Sequence, residues 1–128
     1  MRQPNDCVPG RRATVELTVA EADTAIALGS GDLPVLGTPR IVALCEQAAV
    51  TALGDCLHES QTSVGSWVEV DHSAPTPLGG HVVAEAVLLG VHGRRLEFSI
   101  TVTDGSEQEV ARCRHRRVVV DRESFGQG

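Results

Sequence analysis

Aromatic residues are nearly missing from this chain: its 128 residues hold no Tyr, one Trp and two Phe. Any core must therefore be assembled from Val, Leu, Ile and Ala, and a chain this long can bury such a core as one domain without staples. Long apolar runs are also missing. Nothing approaches the ~20 residues that cross a bilayer, and no charged start precedes an apolar leader, so a soluble, cytoplasmic protein without membrane contact is expected. Lys and Arg number 11 against 17 Asp and Glu, for a net charge of −6. That balance argues against nucleic acid, whose affinity rests on cations meeting phosphates. Cys7, Cys45, Cys56 and Cys113 form neither a C-x-x-C pair nor finger-like spacing. No metal or redox motif is signalled, and reduced thiols are expected. No Ser sits in a G-x-S-x-G elbow and no glycine loop cradles phosphate, which weakens serine-hydrolase and nucleotide-binding readings.

What is present is a sequence of distinct patterns. Residues 1–12 mix Pro4, Asn5, Pro9 and Gly10 with charges and no period, the composition of a flexible N-terminal arm. In 13–19, Val15, Leu17 and Val19 alternate with Thr14, Glu16 and Thr18, which predicts a half-buried strand. Residues 21–31 start helically and dissolve into Gly29-Ser30-Gly31-Asp32, either a lid or a plain surface connection. Thr38-Pro39 reads as a helix start, with Thr38 as N-cap. Ile41, Leu44, Cys45, Ala48, Ala52 and Cys56 then form an apolar stripe over most of 39–57, with both cysteines on it as core thiols. A weakly alternating strand leads to His72, and Pro75, Pro77, Gly79 and Gly80 mark a loop. Turns at His92-Gly93 and Asp104-Gly105 separate three further strands. One strand, one long helix and four strands make a single domain over 13–125. Tight turns make the later strands antiparallel neighbours. One helix covers one face of such a sheet, and a partner subunit is the economical cover for the rest.

Three side chains in this frame can carry chemistry. Glu46 has Val42, Ala43, Ala49 and Val50 at helical spacing and no basic partner on its own helix. Surface helix acids are often flanked by Lys or Arg at that spacing. A carboxylate among aliphatics is desolvated, and serves as a general base or nucleophile. His72 lies between a strand end and a Pro-rich loop, where scaffold-held functional residues gather, and as a general acid it can protonate a leaving group. Thr38 has a structural explanation as N-cap, and it stands roughly 12 Å from Glu46 along the helix axis. The row Arg112, Arg114 and Arg116, with His115 and Arg117 beside it, puts three cations on one strand face, either for phosphates or to protect an edge strand.

The spacing of Thr38 to Glu46, Ser63-Val64-Gly65 seven residues before His72, the run His72-Ser73-Ala74-Pro75-Thr76-Pro77 and Gly93-Arg94-Arg95-Leu96 together resemble the hot dog fold thioesterases, and within them the fluoroacetyl-CoA thioesterase family. The likeness runs from about Val15 to Phe125. It implies an α+β hot dog fold, a long central helix wrapped by a five-stranded antiparallel sheet, paired as a homodimer with acyl-CoA sites at the interface. Matched residue by residue, it places the catalytic Thr, Glu and His on Thr38, Glu46 and His72, and an acyl-site Gly and Arg on Gly65 and Arg116. The family enzyme carries Phe residues in a lid ahead of its Thr. Residues 21–36 hold no aromatic, which removes the basis for fluoroacetyl selectivity. The expectation is an acyl-CoA thioesterase for a short or polar acyl group, with no cofactor beyond the coenzyme A of the substrate. A hot dog enoyl-CoA hydratase or dehydratase, and a non-catalytic acyl-CoA binding protein, are the alternatives. Pairing of the dimer into a tetramer is left open.

Overall fold

The computed structural model describes residues 6–126. Strand β1 (Arg12–Thr18) leads through a short 3-10 turn (Glu21–Asp23) and helix α1 (Ala25–Leu28) to the long helix α2 (Thr38–Leu53). Strands β2 (Gln61–His72), β3 (His81–His92), β4 (Arg95–Asp104) and β5 (Glu109–Asp121) follow. They form one five-stranded sheet in the order β1-β3-β4-β5-β2, with every pairing antiparallel. This is the expected architecture of a long helix against a five-stranded antiparallel sheet.

The alternation in β4 is the clearest link from sequence to packing. Leu96, Phe98, Ile100 and Val102 are fully buried, while Glu97, Ser99, Thr101 and Thr103 face the other way. Helix α2 lays Ile41, Leu44, Cys45, Ala48, Ala49 and Ala52 on the inner face. Ala84, Ala86 and Ala111 oppose them from the sheet. Small residues on both sides let helix and strands approach closely, which compensates for the shortage of aromatic volume. The helix ends at Gly54, whose φ of 56° is left-handed and suits glycine.

Four expectations change. The N-cap of α2 is Gly37 rather than Thr38, which occupies the first helical position and makes no capping bond. Its hydroxyl is engaged elsewhere. Strand β2, which a loop and no tight turn joins to β3, pairs with β5, with Gln61 opposite Asp121 and His72 opposite Ala111. The connection at 73–80 is long enough to cross to the other side of the sheet. There Val19 and Gly80 bond through N–H and carbonyl at 2.8 Å, and the Leu36 N–H donates to the Thr76 carbonyl at 2.8 Å. Cys7 and Cys56 are joined in a disulfide, both buried, so only Cys45 and Cys113 among the described residues are free thiols. Cys56 lies beyond the helix rather than on its stripe. The bridge also fixes part of the arm: Cys7 is 1% exposed and the Gly10 N–H donates to the Leu88 carbonyl at 2.8 Å. Residues 1–5 of that arm lie outside the described residues.

Candidate active site

The first half of the site joins the start of α2 to the end of β2. Thr38 Oγ1 and His72 Nδ1 share a hydrogen bond of 2.8 Å. Burial pushes the His72 imidazole below its ordinary value, with the Ala74 backbone opposing in part. Its Nε2 is buried and has no hydrogen-bond partner among the described residues. The pair opens on a cavity of about 280 Å³ walled by Ala25, Ser30 and Val35 of the segment ahead of α2. That segment is tied to the helix start: Arg40 Nε donates to Asp23 Oδ1 at 2.9 Å and the Gly37 N–H to the Asp23 carbonyl at 2.9 Å.

The second half surrounds Glu46, two turns further along α2. Its basic partner comes from the sheet, which explains why none is visible on the helix. Arg117 donates from one terminal amine to Glu46 Oε2 at 3.2 Å, from Nε to Ser63 Oγ at 2.8 Å and from the other amine to the Ser63 carbonyl at 3.0 Å. His115 completes the group. It is 2% exposed, its Nδ1 donates to the Trp67 carbonyl at 2.8 Å, and its Nε2 lies 3.1 Å from the same Arg117 amine and 3.8 Å from Glu46 Oε2. With the proton on Nδ1, Nε2 accepts from Arg117. Burial pushes the His115 imidazole down from its ordinary value, and the Arg117 charge acts in the same direction. Burial also lowers the Arg117 guanidinium against the opposing pull of Glu46.

Gly65 is required by this packing. A Cβ there would collide with Glu46 Oε2 and come within 3.3 Å of His115 Cε1. The strand register shifts between Gly65 and Trp67, a bulge of the kind that re-aims side chains beside functional sites. Cys45, one residue before Glu46, is no nucleophile: its hydrogen bond to Cys113, then burial, push its pKa up and hold it as the thiol.

Sequence reasoning placed the acyl-site arginine on Arg116. The structure puts Arg116 on the opposite face, with its guanidinium carbon 4.4 Å from the Trp67 ring centre and Nε 3.8 Å from Glu97 Oε1. Successive strand residues face opposite sides, so the inward set of β5 is Cys113, His115, Arg117 and Val119. Arg112, Arg114 and Arg116 do share a face, the outer one. Apolar parity was the available signal: Cys113 and Val119 carry Arg117 to the helix side. Ser63 and His115 were not singled out as site residues, because a polar residue on a buried strand face has no sequence mark of its partner.

Known proteins resemble this arrangement. The fluoroacetyl-CoA thioesterase of Streptantibioticus cattleyicolor is 36% identical over 91 residues, covering 71% of this chain and 65% of that protein. The match thus spans less than two thirds of that relative. A solved structure of the fluoroacetyl-CoA thioesterase FlK superposes with a TM-score of 0.84 at 32% identity, over 92% of this chain and 91% of that one. A hot-dog-like protein from Thermanaerovibrio acidaminovorans gives 0.85 at 27% identity, over 96% and 90% of the two chains. The sequence pattern of the fluoroacetyl-CoA-specific thioesterases matches residues 19–123. With most of its length so matched, this hot dog chain belongs to the fluoroacetyl-CoA-specific thioesterase (FlK) family.

Proposed function

We propose that the protein is an acyl-CoA thioesterase that hydrolyses a short or polar acyl-CoA to the free acid and coenzyme A. The observation that carries this reading is the Glu46 carboxylate, anchored by Arg117 at 3.2 Å and packed directly against the glycine backbone of β2. A carboxylate so held attacks the thioester carbonyl itself or removes a proton from the attacking water. On the general-base path the proton that Glu46 takes from water passes through the His72 imidazole to the leaving thiolate as the carbon–sulfur bond breaks. On the nucleophilic path a water deprotonated by His72 opens the acyl–Glu46 anhydride, and the same proton goes to the thiolate. Thr38 and the Gly65 backbone N–H orient the acyl group and stabilise the oxyanion. The unmet Nε2 of His72 supports its part, since a buried polar atom beside a cavity is expected to find a partner when a ligand arrives. Variants of FlK have been solved with acetyl-CoA and with fluoroacetate and CoA, which supports the substrate class.

In one chain the Thr38–His72 pair and Glu46 are roughly 12 Å apart along α2. A homodimer that pairs the free edge of β2 brings one subunit's pair towards the other's carboxylate. Trp67 and Val68 on that edge are 40% and 39% exposed, apolar surface that such a pairing would cover. A cytoplasmic location belongs to the same reading, because CoA esters are handled there. The Cys7–Cys56 bridge weighs on the other side, since disulfides are rare in reducing compartments. Among the described residues no helix is long and apolar enough to cross a membrane.

The test is free thiol released from a panel of acyl-CoAs differing in length and polarity. Activity unchanged in both Glu46→Ala and His72→Ala would remove the site assignment. Loss of enoyl absorbance without thiol release would replace hydrolysis by hydration.

A further inference from the structure

Helix α2 starts without a side-chain cap. Gly37 holds the N-cap position and has no side chain to offer, Pro39 has no N–H, and the hydroxyl of Thr38 between them is engaged by His72. Packing keeps Gly37 bare: a Cβ there would lie 2.9 Å from Leu28 Cδ1 and 3.2 Å from the backbone of Ala25 in α1. The Ser, Asp or Asn that ordinarily serves a helix start therefore has little room at this position.

Asp23, at the end of the 3-10 turn and 17 residues before Arg40, takes over that work from outside the helix. Its carbonyl accepts the Gly37 N–H at 2.9 Å, its Oδ1 accepts from Arg40 Nε at 2.9 Å and its Oδ2 accepts the Ala20 N–H at 2.8 Å. All three oxygens of the residue are engaged. The Asp23 side chain is 13% exposed and that of Arg40 26%, so water screens this pair less than it screens a surface ion pair. A carboxylate beside the first turn also meets the positive end of the helix dipole.

We propose that Asp23 is the positioning residue of the Thr38–His72 pair. Two starts compete for this helix. In one, Thr38 is the N-cap and Pro39 the first helical residue, the pattern most favoured for that dipeptide, and the Thr38 hydroxyl turns to the first-turn N–H groups. In the other, which the structure adopts, Gly37 is the N-cap and the hydroxyl points to His72. By gripping Gly37 and Arg40 on either side of Thr38, Asp23 selects the second start and releases the hydroxyl from capping. The catalytic meaning of that release rests on the thioesterase reading; the grip itself does not.

The experiment follows the ring nitrogens of His72 by NMR in the intact labelled protein, for the wild type, Asp23→Ala, Arg40→Met and, as the reference for a lost bond, Thr38→Val. In both Asp23→Ala and Arg40→Met the His72 Nδ1 resonance is expected to move most of the way to its position in Thr38→Val. The His115 resonances should stay in place, which shows that the Glu46 side is folded, and Arg40→Met carries the test if Asp23→Ala does not fold. In thiol release from an acyl-CoA, Asp23→Ala should lower kcat about fivefold with KM within about twofold, yet change kcat less than about twofold in a Thr38→Val background, as for residues that act through one another. A His72 resonance left at its wild-type position overturns the proposal, and so do equal losses of kcat in the two backgrounds, the mark of a merely structural role. A wild type that releases no thiol removes the thioesterase reading, and the ring resonances alone then decide the role of Asp23.

Discussion

Both halves of the site hang from α2, yet they are secured in different ways. The Thr38–His72 pair is a single hydrogen bond between the first residue of the helix and the last of β2, with one ring nitrogen unmet. The Glu46 group is cross-braced: Arg117 alone makes four donations, to Glu46, to the hydroxyl and carbonyl of Ser63 and to His115 Nε2, with His115 held in turn by the Trp67 carbonyl. A member that only moves protons needs one support and room to respond to a ligand. A carboxylate that must meet a carbonyl carbon has to be fixed before the substrate arrives, and pre-set geometry of that kind supplies much of a catalytic site's advantage.

That contrast can be tested by breaking each half in turn. The largest effect is expected from Glu46→Gln, which keeps the shape and removes the charge. Its kcat for acyl-CoA hydrolysis should fall about a thousandfold against about a hundredfold for His72→Ala, within the range of lost nucleophilic and acid–base assistance. Steady-state thiol release decides the order, and a reversed order would make the braced carboxylate secondary. Arg117→Met strips the brace. Because Glu46 retains partial solvent access, the cost should stay near 2 kcal/mol, seen as a melting temperature roughly 8 °C lower. An unchanged melting temperature would show the bracing to be incidental.

Two smaller effects sharpen the comparison further. The folded-state values of His72 and His115 are both lowered by burial, so the unfolded chain binds more protons than the folded one below the ordinary imidazole value. Stability should therefore hold above about pH 6.5 and decline as pH falls below it and through the two folded values. Thermal unfolding between pH 7 and 5, above most of the carboxylate range, checks this, and a flat profile would contradict the burial of the two rings. Smallest in stability is Thr38→Val. As Gly37 and not Thr38 caps the helix, the unfolding free energy should move by no more than ~0.5 kcal/mol, while kcat/KM falls about tenfold and recovers in Thr38→Ser.

Much of this arrangement was legible in the residues. Alternation gave β4 and its core row, the Ala-rich stripe gave α2, and the aliphatic neighbours of Glu46 marked it before any partner was known. What escaped is non-local. Nothing near Cys7 points to Cys56, 49 residues away, and no turn rule announces that β2 will cross to pair with β5. Thr38 misled because a Thr ahead of Pro39 satisfies the capping pattern whether or not its hydroxyl is used for it. Arg116 and Arg117 differ by one step of a strand, and one step is the difference between the two faces of a sheet. The likeness in sequence assigned Arg116, whereas the buried parity of Cys113 and Val119 carries Arg117 to the face of Glu46.

The bond between Glu46 and Arg117 closes a loop of 71 residues, and among the described residues β2 has no strand neighbour but β5. Contacts so distant along the chain are late to form, because the entropy of closing the intervening segment is spent before they reward it. The carboxylate therefore gains its partner only once the last strand has docked, so a nascent or C-terminally clipped chain carries Glu46 without its counter-charge. With the role proposed for Glu46, catalytic competence becomes a readout of completed folding, and recovery of thiol-releasing activity during refolding should coincide with the slowest phase rather than precede it.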